Sequence, residues 1–239
     1  MDEQQQYKIK YNWYEIYKLF TGSGKKEGWW NVLRSSFLAG LCIGISGLGY
    51  LKVGGLIGAI LFCFGLITVC LFSLHLFTGI SGFTKGWREF NRLPIILLGN
   101  VLGCWGVAYI ASISLPEISQ AAQEVVISRL SRSPSQAMWL GVGCGWLMTV
   151  AVSALKPWVG SEKRTWIPLL FAVPMFILCG FLHSIADSFY YLSCGNEWLQ
   201  ENLGTVLKIW WNVVLGNWIG CNLSRILAIP NPYKRERNN

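Results

Sequence analysis

Gly180-Phe181-Leu182-His183-Ser184-Ile185-Ala186-Asp187-Ser188-Phe189 closes an apolar run that begins near Trp166. A histidine at membrane depth finds little water, so it must face a partner, a cavity or a path for polar solutes. The chain's other histidine, His75, also ends an apolar run, and both runs pass into short polar-apolar breaks. The first break reads Leu74-His75-Leu76-Phe77-Thr78-Gly79-Ile80-Ser81-Gly82-Phe83. Thr78, Gly79, Ser81 and Gly82 are poor helix formers, so the backbone is expected to unwind there. Unwound backbone at membrane depth is tolerated only when buried in protein or lining a cavity. In the second break Ser184, Asp187 and Ser188 supply the polar groups, and Pro174 ahead of it is expected to kink the fifth helix. Paired interruptions in two halves of a membrane protein point to a permeation site.

Composition supports the membrane reading. Of 239 residues, 53% are hydrophobic and 13% charged, about half the charge of an average soluble domain. The apolar residues collect into six stretches near the length that crosses a bilayer as helix: about 33–54, 56–75, 93–114, 135–155, 166–183 and 204–228. The first 30 residues are polar and lack the short apolar core of a cleaved signal peptide. Within them, residues 11–20 are amphipathic and able to lie as a helix on the membrane surface. The expected organisation is a cytoplasmic N-terminal tail over 1–30, a six-helix channel domain over 31–228 and a cytoplasmic C-terminal tail over 229–239.

The net charge of +8 is explained by topology. Sixteen of the 20 cations fall on one side of the six stretches, in the N-terminal tail, the 85–92 and 156–164 loops and the C-terminal end. The other four are Lys52, Arg129, Arg132 and Lys208. This asymmetry places both termini in the cytoplasm and argues against a nucleic-acid partner. The eight cysteines form no CxxC pair, so no metal site or disulfide framework is expected; they read as small packing residues. Trp29, Trp30, Trp158, Trp166, Trp210 and Trp211 lie near stretch ends and read as interfacial anchors.

The third and sixth stretches share a phrase. Leu98-Gly99-Asn100-Val101-Leu102-Gly103 recurs as Leu215-Gly216-Asn217-Trp218-Ile219-Gly220. Each copy closes a set of three stretches, and an odd number of spans per repeat inverts the second copy. The glycines four apart let helices approach closely.

With these motifs in order, the chain resembles the formate/nitrite transporter family over roughly residues 30–228. Pro174 followed by Gly180-Phe181-Leu182-His183-Ser184-Ile185-Ala186 is similar to that family's proline and Gly-Phe-acid-His-Ser-x-Ala-Asn. Leu76-Phe77-Thr78 resembles the Leu-Phe-Thr of the loop that breaks the family's second helix, and the two Gly-Asn phrases resemble its third and sixth helices. The resemblance implies an all-α membrane protein with six transmembrane helices in an aquaporin-like inverted 3+3 repeat, the second and fifth helices broken. It further implies a homopentamer in a bacterial inner membrane and a substrate class of small monovalent weak-acid anions: formate, nitrite, hydrosulfide or short carboxylates. His183 and Thr78 would be the central pore residues. Leu66, Leu76 and Phe77 would form a constriction on one side of His183, with Phe62 and Phe176 on the other. Arg129 takes the position of a vestibule lysine that attracts anions. Phe62 and Leu66 are four apart and share a helix face, whatever their role.

Several positions depart from the family pattern. Leu182 stands where an acid precedes the histidine, and Asp187 stands where an asparagine follows it. His75 replaces an acidic or small residue, and the fourth-span asparagine that faces the central histidine in many relatives aligns with Gly145. If helix runs through 183–187, Asp187 shares a face with His183 and is placed to orient or charge it. Asp187 and His75 are therefore candidates for a histidine partner or a second polar site. Arg129 and Arg132 are expected in a long loop.

A membrane enzyme would need a base with a nucleophile or a metal-ligand cluster. The histidines fall in different halves and membrane-embedded acids are scarce, so no enzymatic activity, metal or cofactor is expected. A neutral-solute pore would need paired Asn-Pro-Ala loops, and the sole Asn-Pro, Asn231-Pro232, lies in the tail. The expected activity is transport of weak-acid anions, with protons as the second partner and protonation near His183. The alternative is a non-conducting scaffold or regulator on the same fold.

Overall fold

The computed structural model describes residues 28–84, 87–155 and 165–226. The amphipathic stretch 11–20, the loop 156–164 and the C-terminal tail lie outside the described residues. Among the described residues ten α-helices follow one another: α1 (Trp29–Val53), α2 (Gly55–Leu71), α3 (Phe77–Ile80), α4 (Trp87–Phe90), α5 (Leu93–Ser114), α6 (Ile118–Leu130), α7 (Pro134–Ser153), α8 (Ile167–Leu178), α9 (Ser184–Ser193) and α10 (Asn196–Ile226). A 3₁₀ turn, Ser81–Phe83, continues α3. No strand occurs among the described residues. Trp29–Val53, Trp87–Ser114 and Pro134–Ser153 are long and apolar enough to cross a membrane, and α2 and α8 are shorter apolar helices. Large apolar side chains such as Leu56, Ile57, Phe64 and Phe171 face outward, as a surface in contact with lipid or a neighbouring subunit requires.

Glycine decides how the long helices pair. α1 packs along α5, and α7 along α10. In the first pair, a Cβ added at Gly40 would overlap the carbonyl of Asn100, and one at Gly103 the carbonyl of Phe37. In the second pair, Gly216 and Gly220 meet the carbonyls of Met138 and Val142 in the same way. The glycines of both repeated phrases thus bring backbone onto backbone.

The two breaks are built alike. α2 ends as the Leu74 N–H returns to the Val69 carbonyl at 2.9 Å and the Ser73 N–H to the Cys70 carbonyl at 3.3 Å. α8 ends with Phe181 to Phe176 at 2.9 Å and Gly180 to Ile177 at 3.2 Å. Ser73 (φ 51°) and Gly180 (φ 73°) occupy the left-handed conformation between them, the geometry that satisfies the last carbonyls of a helix. The chain then leaves helical geometry, with Leu76 and His183 extended, until α3 and α9 begin. Pro174 lies inside α8, which runs about one more turn before the break. Counting from Ser73 and Gly180, His75 corresponds to Leu182 and Leu76 to His183. The two histidines, which the apolar runs suggested as counterparts, are one position out of register.

Candidate permeation site

Each break is held by the asparagine of a repeated phrase. Asn100, on α5, accepts from the Phe77 N–H at 2.9 Å and donates to the carbonyls of His75 at 2.8 Å and Ser36 at 2.7 Å. Asn217, on α10, accepts from the Ser184 N–H at 2.8 Å and donates to Leu182 and Gly141 at 2.9 Å each. Both asparagines are fully buried. A carboxamide supplies one acceptor and two donors on one rigid plane, which suits a backbone that has lost its helical partners on both sides of a break. The two clamps join corresponding atoms in the two halves, so the repeat is structural as well as verbal.

His183 caps α9. Its Nδ1 accepts the Ala186 N–H at 3.2 Å, and its Nε2 lies 2.9 Å from Thr78 Oγ1. With Nδ1 accepting, the ring hydrogen sits on Nε2 and is donated to Thr78. Thr78 Oγ1 has no other partner among the described residues, so its own hydrogen is free to be donated. The pair is buried and joins the two broken elements across 105 residues of sequence. Phe176 stacks on the His183 ring at 5.5 Å between centroids, and Phe62 meets Phe176 edge-on at 5.7 Å. Leu66, Leu76 and Phe77 are buried.

Asp187 does not partner His183. The helix begins only at Ser184, so the ring turns back to cap it while Asp187 points to α6. There Arg129 Nε donates to Asp187 Oδ1 at 2.6 Å. Arg129 is helical rather than in a loop: α6 runs to Leu130 and only Arg132 lies beyond it. Arg129 also donates to the Val125 carbonyl at 2.9 Å, and its guanidinium lies 4.9 Å from the centre of the Tyr190 ring. A cavity of about 310 Å³ opens here, lined in part by Glu124, Arg129, Arg132, Gly180 and Leu182. It places Arg129 beside the residue that precedes His183.

His75 is part-buried away from this pair. Its N–H and its Nδ1 both meet Ser35 Oγ on α1, at 3.1 and 2.8 Å. Gly145 does not face the histidine either: a Cβ there would overlap the Asn217 carbonyl. Asparagine is therefore excluded at this position by the α7–α10 contact. Two contributions escaped the sequence reading. Cys221 Sγ donates to the carbonyls of Thr78 at 3.0 Å and Gly145 at 3.3 Å, steadying the threonine from behind. Trp210 also ties α10 to the second break, its Nε1 donating to Ser184 O and Ser188 Oγ at 2.9 Å each. Among the described residues no three His, Cys, Asp or Glu side chains gather as metal ligands.

Two broken elements meeting at a buried polar pair, with buried apolar side chains around it and apolar helices long enough to cross a bilayer, fit a multi-pass membrane protein. The family model described as formate/nitrite transporter matches residues 17–229, and the chain belongs to the formate/nitrite transporter family. A probable formate transporter of Methanothermobacter thermautotrophicus is 28% identical over 244 residues, covering 79% of this chain and 84% of that protein. Two solved structures share the fold. One is a pentameric formate channel with formate bound, at TM-score 0.70 and 21% identity over 84% of this chain and 95% of that one. The other is an FNT family ion channel, at TM-score 0.71 and 20% identity over 90% and 95%.

Proposed function

We propose that this protein conducts small monovalent anions of weak acids, of the formate, nitrite, hydrosulfide and short-carboxylate class, across the membrane as a homopentamer with one pore in each subunit. The observation that carries the reading is the His183–Thr78 hydrogen bond, set where the two broken elements meet. Formate binding by the solved relative and the formate assignment of the archaeal relative support the substrate class. The charge asymmetry of the loops supports six spans with both termini in the cytoplasm.

A bare anion between apolar rings would meet a prohibitive desolvation penalty, and a neutral acid avoids most of it. In the proposed cycle the anion approaches through the Arg129 cavity and reaches the Thr78 hydroxyl, which donates to it. The amino end of α9 adds a favourable potential. A proton then neutralises it, and the acid passes Phe62 and Phe176 on one side of the pair, with Leu66, Leu76 and Phe77 guarding the other. The proton comes from hydronium of the bulk solvent, which is left as water. His183 can supply one only from its doubly protonated form, and a proton on Nδ1 would break the cap at Ala186. His183 instead keeps Thr78 oriented as a donor.

Purified protein in liposomes, tested for uptake of formate, nitrite, hydrosulfide, acetate and lactate across a pH series, checks this reading. Saturable uptake of at least one anion is expected. No flux of any of them at any pH would leave the fold serving as a scaffold.

A further inference from the structure

Arg129 and Asp187 stand 58 residues apart in sequence and form one ion pair at the wall of the cavity. Their exposures differ sharply: the arginine side chain is 16% exposed and the aspartate 1%. Asp187 Oδ2 is buried with no partner, so the carboxylate is placed by its bond to Arg129 alone. The guanidinium is further held by its Nη1 bond to the Val125 carbonyl and by the face of the Tyr190 ring, 4.9 Å away. The remaining charged side chains on the cavity wall are Glu124 and Arg132. With Asp187 behind Arg129, two cations face two anions. An approaching anion meets a dipole at Arg129 in place of a full positive charge.

We propose that Asp187 is a positioning and affinity-setting residue: it holds the Arg129 guanidinium toward the cavity and cancels most of its charge. The cavity then admits small monovalent anions weakly and releases them readily. This inference rests on the transport reading and adds to it a low-affinity, salt-insensitive entrance. Arginine is suited to the arrangement because its fork can engage a carboxylate through Nε and still present other N–H groups to a ligand.

The test compares wild type, Asp187→Asn and Asp187→Glu in liposomes, with formate uptake measured as KM and kcat. Ionic strength is set with a bulky impermeant salt at about 0.01 M and about 1 M, where the screening length is about 30 Å and about 3 Å. Asp187→Asn keeps an acceptor for Arg129 Nε and removes the charge. Its KM should fall about 3- to 10-fold below wild type at low salt, and the two should converge at high salt. Asp187→Glu keeps the charge and should retain the flat salt response of wild type. A purely structural aspartate would alter pentamer yield or kcat and leave the salt dependence unmoved. Active wild type with an Asp187→Asn variant of unchanged KM and salt response would overturn the inference and leave the transport reading standing. Absence of flux from wild type and every variant would overturn both.

Discussion

Asn217→Ala should unfasten the second break. The substitution strips the Ser184 N–H and the Leu182 carbonyl of their partners in a buried site, while the Gly141 carbonyl lies within α7 and keeps its helical bond. Each orphaned buried group costs about 1–3 kcal/mol, so the variant should lose about 2–6 kcal/mol. For a chain of this size each kcal/mol moves the melting temperature by about 2–4 °C, so a loss near 4 kcal/mol lowers it by roughly 8–16 °C. The assay is fluorescence-detected melting in detergent, for which the 13 tryptophans give ample signal. Asn100→Ala should behave alike, because the Phe77 N–H and the His75 carbonyl are released in the corresponding way. Asn212→Ala is the control. Its side chain donates only to the Lys208 carbonyl at an exposed site, and a change within about 0.5 kcal/mol is expected. If Asn217→Ala melts within about 2 °C of wild type, the carboxamide clamp does not hold the break and the reasoning fails.

Three further outcomes follow from the same geometry. Gly145→Asn should fail to yield folded protein by size-exclusion chromatography, since the side chain would run into the Asn217 carbonyl. Thr78→Val should lower melting by about 2–12 °C, because it orphans the buried His183 Nε2–H at a cost of about 1–3 kcal/mol, and reduce formate uptake at least about tenfold, roughly the 1.4 kcal/mol equivalent of one lost transition-state hydrogen bond. At the surface, Lys52 Nζ lies 2.5 Å from Glu117 Oε1 and, through this hydrogen bond, holds the Glu117 carboxyl below its ordinary value. A depressed acid stabilises the fold above its unfolded titration range and loses that contribution as pH falls. The melting difference between wild type and Glu117→Gln should therefore shrink as pH drops below about 4.5.

The helices were legible because hydropathy alone marks them: the stretches 93–114 and 135–155 return as Leu93–Ser114 and Pro134–Ser153. Glycine- and serine-rich composition also marked both breaks. The repeated Leu-Gly-Asn phrase announced the two halves, yet its glycines drew the reading and its asparagines do the fastening. A carboxamide's three partners lie on two other segments, which no local pattern displays. The register of the histidines was misread because apolar runs end on side chains, whereas the breaks are set by the left-handed residues Ser73 and Gly180. Arg129 was read as loop because α6, at 13 residues, is too short and polar to register as a span. Its pairing with Asp187 joins two departures from the family pattern that look unrelated in sequence.

His183→Asn tests the central claim most directly. Asparagine is among the best helix N-caps, so it can still accept the Ala186 N–H, but it is too short to carry a donor to Thr78. The measurement is formate uptake by wild-type and variant protein in liposomes from neutral to acidic pH. The account predicts that wild type carries formate at neutral pH, where the substrate is an anion. The variant should retain uptake only toward acidic pH, where the neutral acid is already present outside. A folded His183→Asn variant with wild-type uptake and an unaltered pH profile would contradict the account.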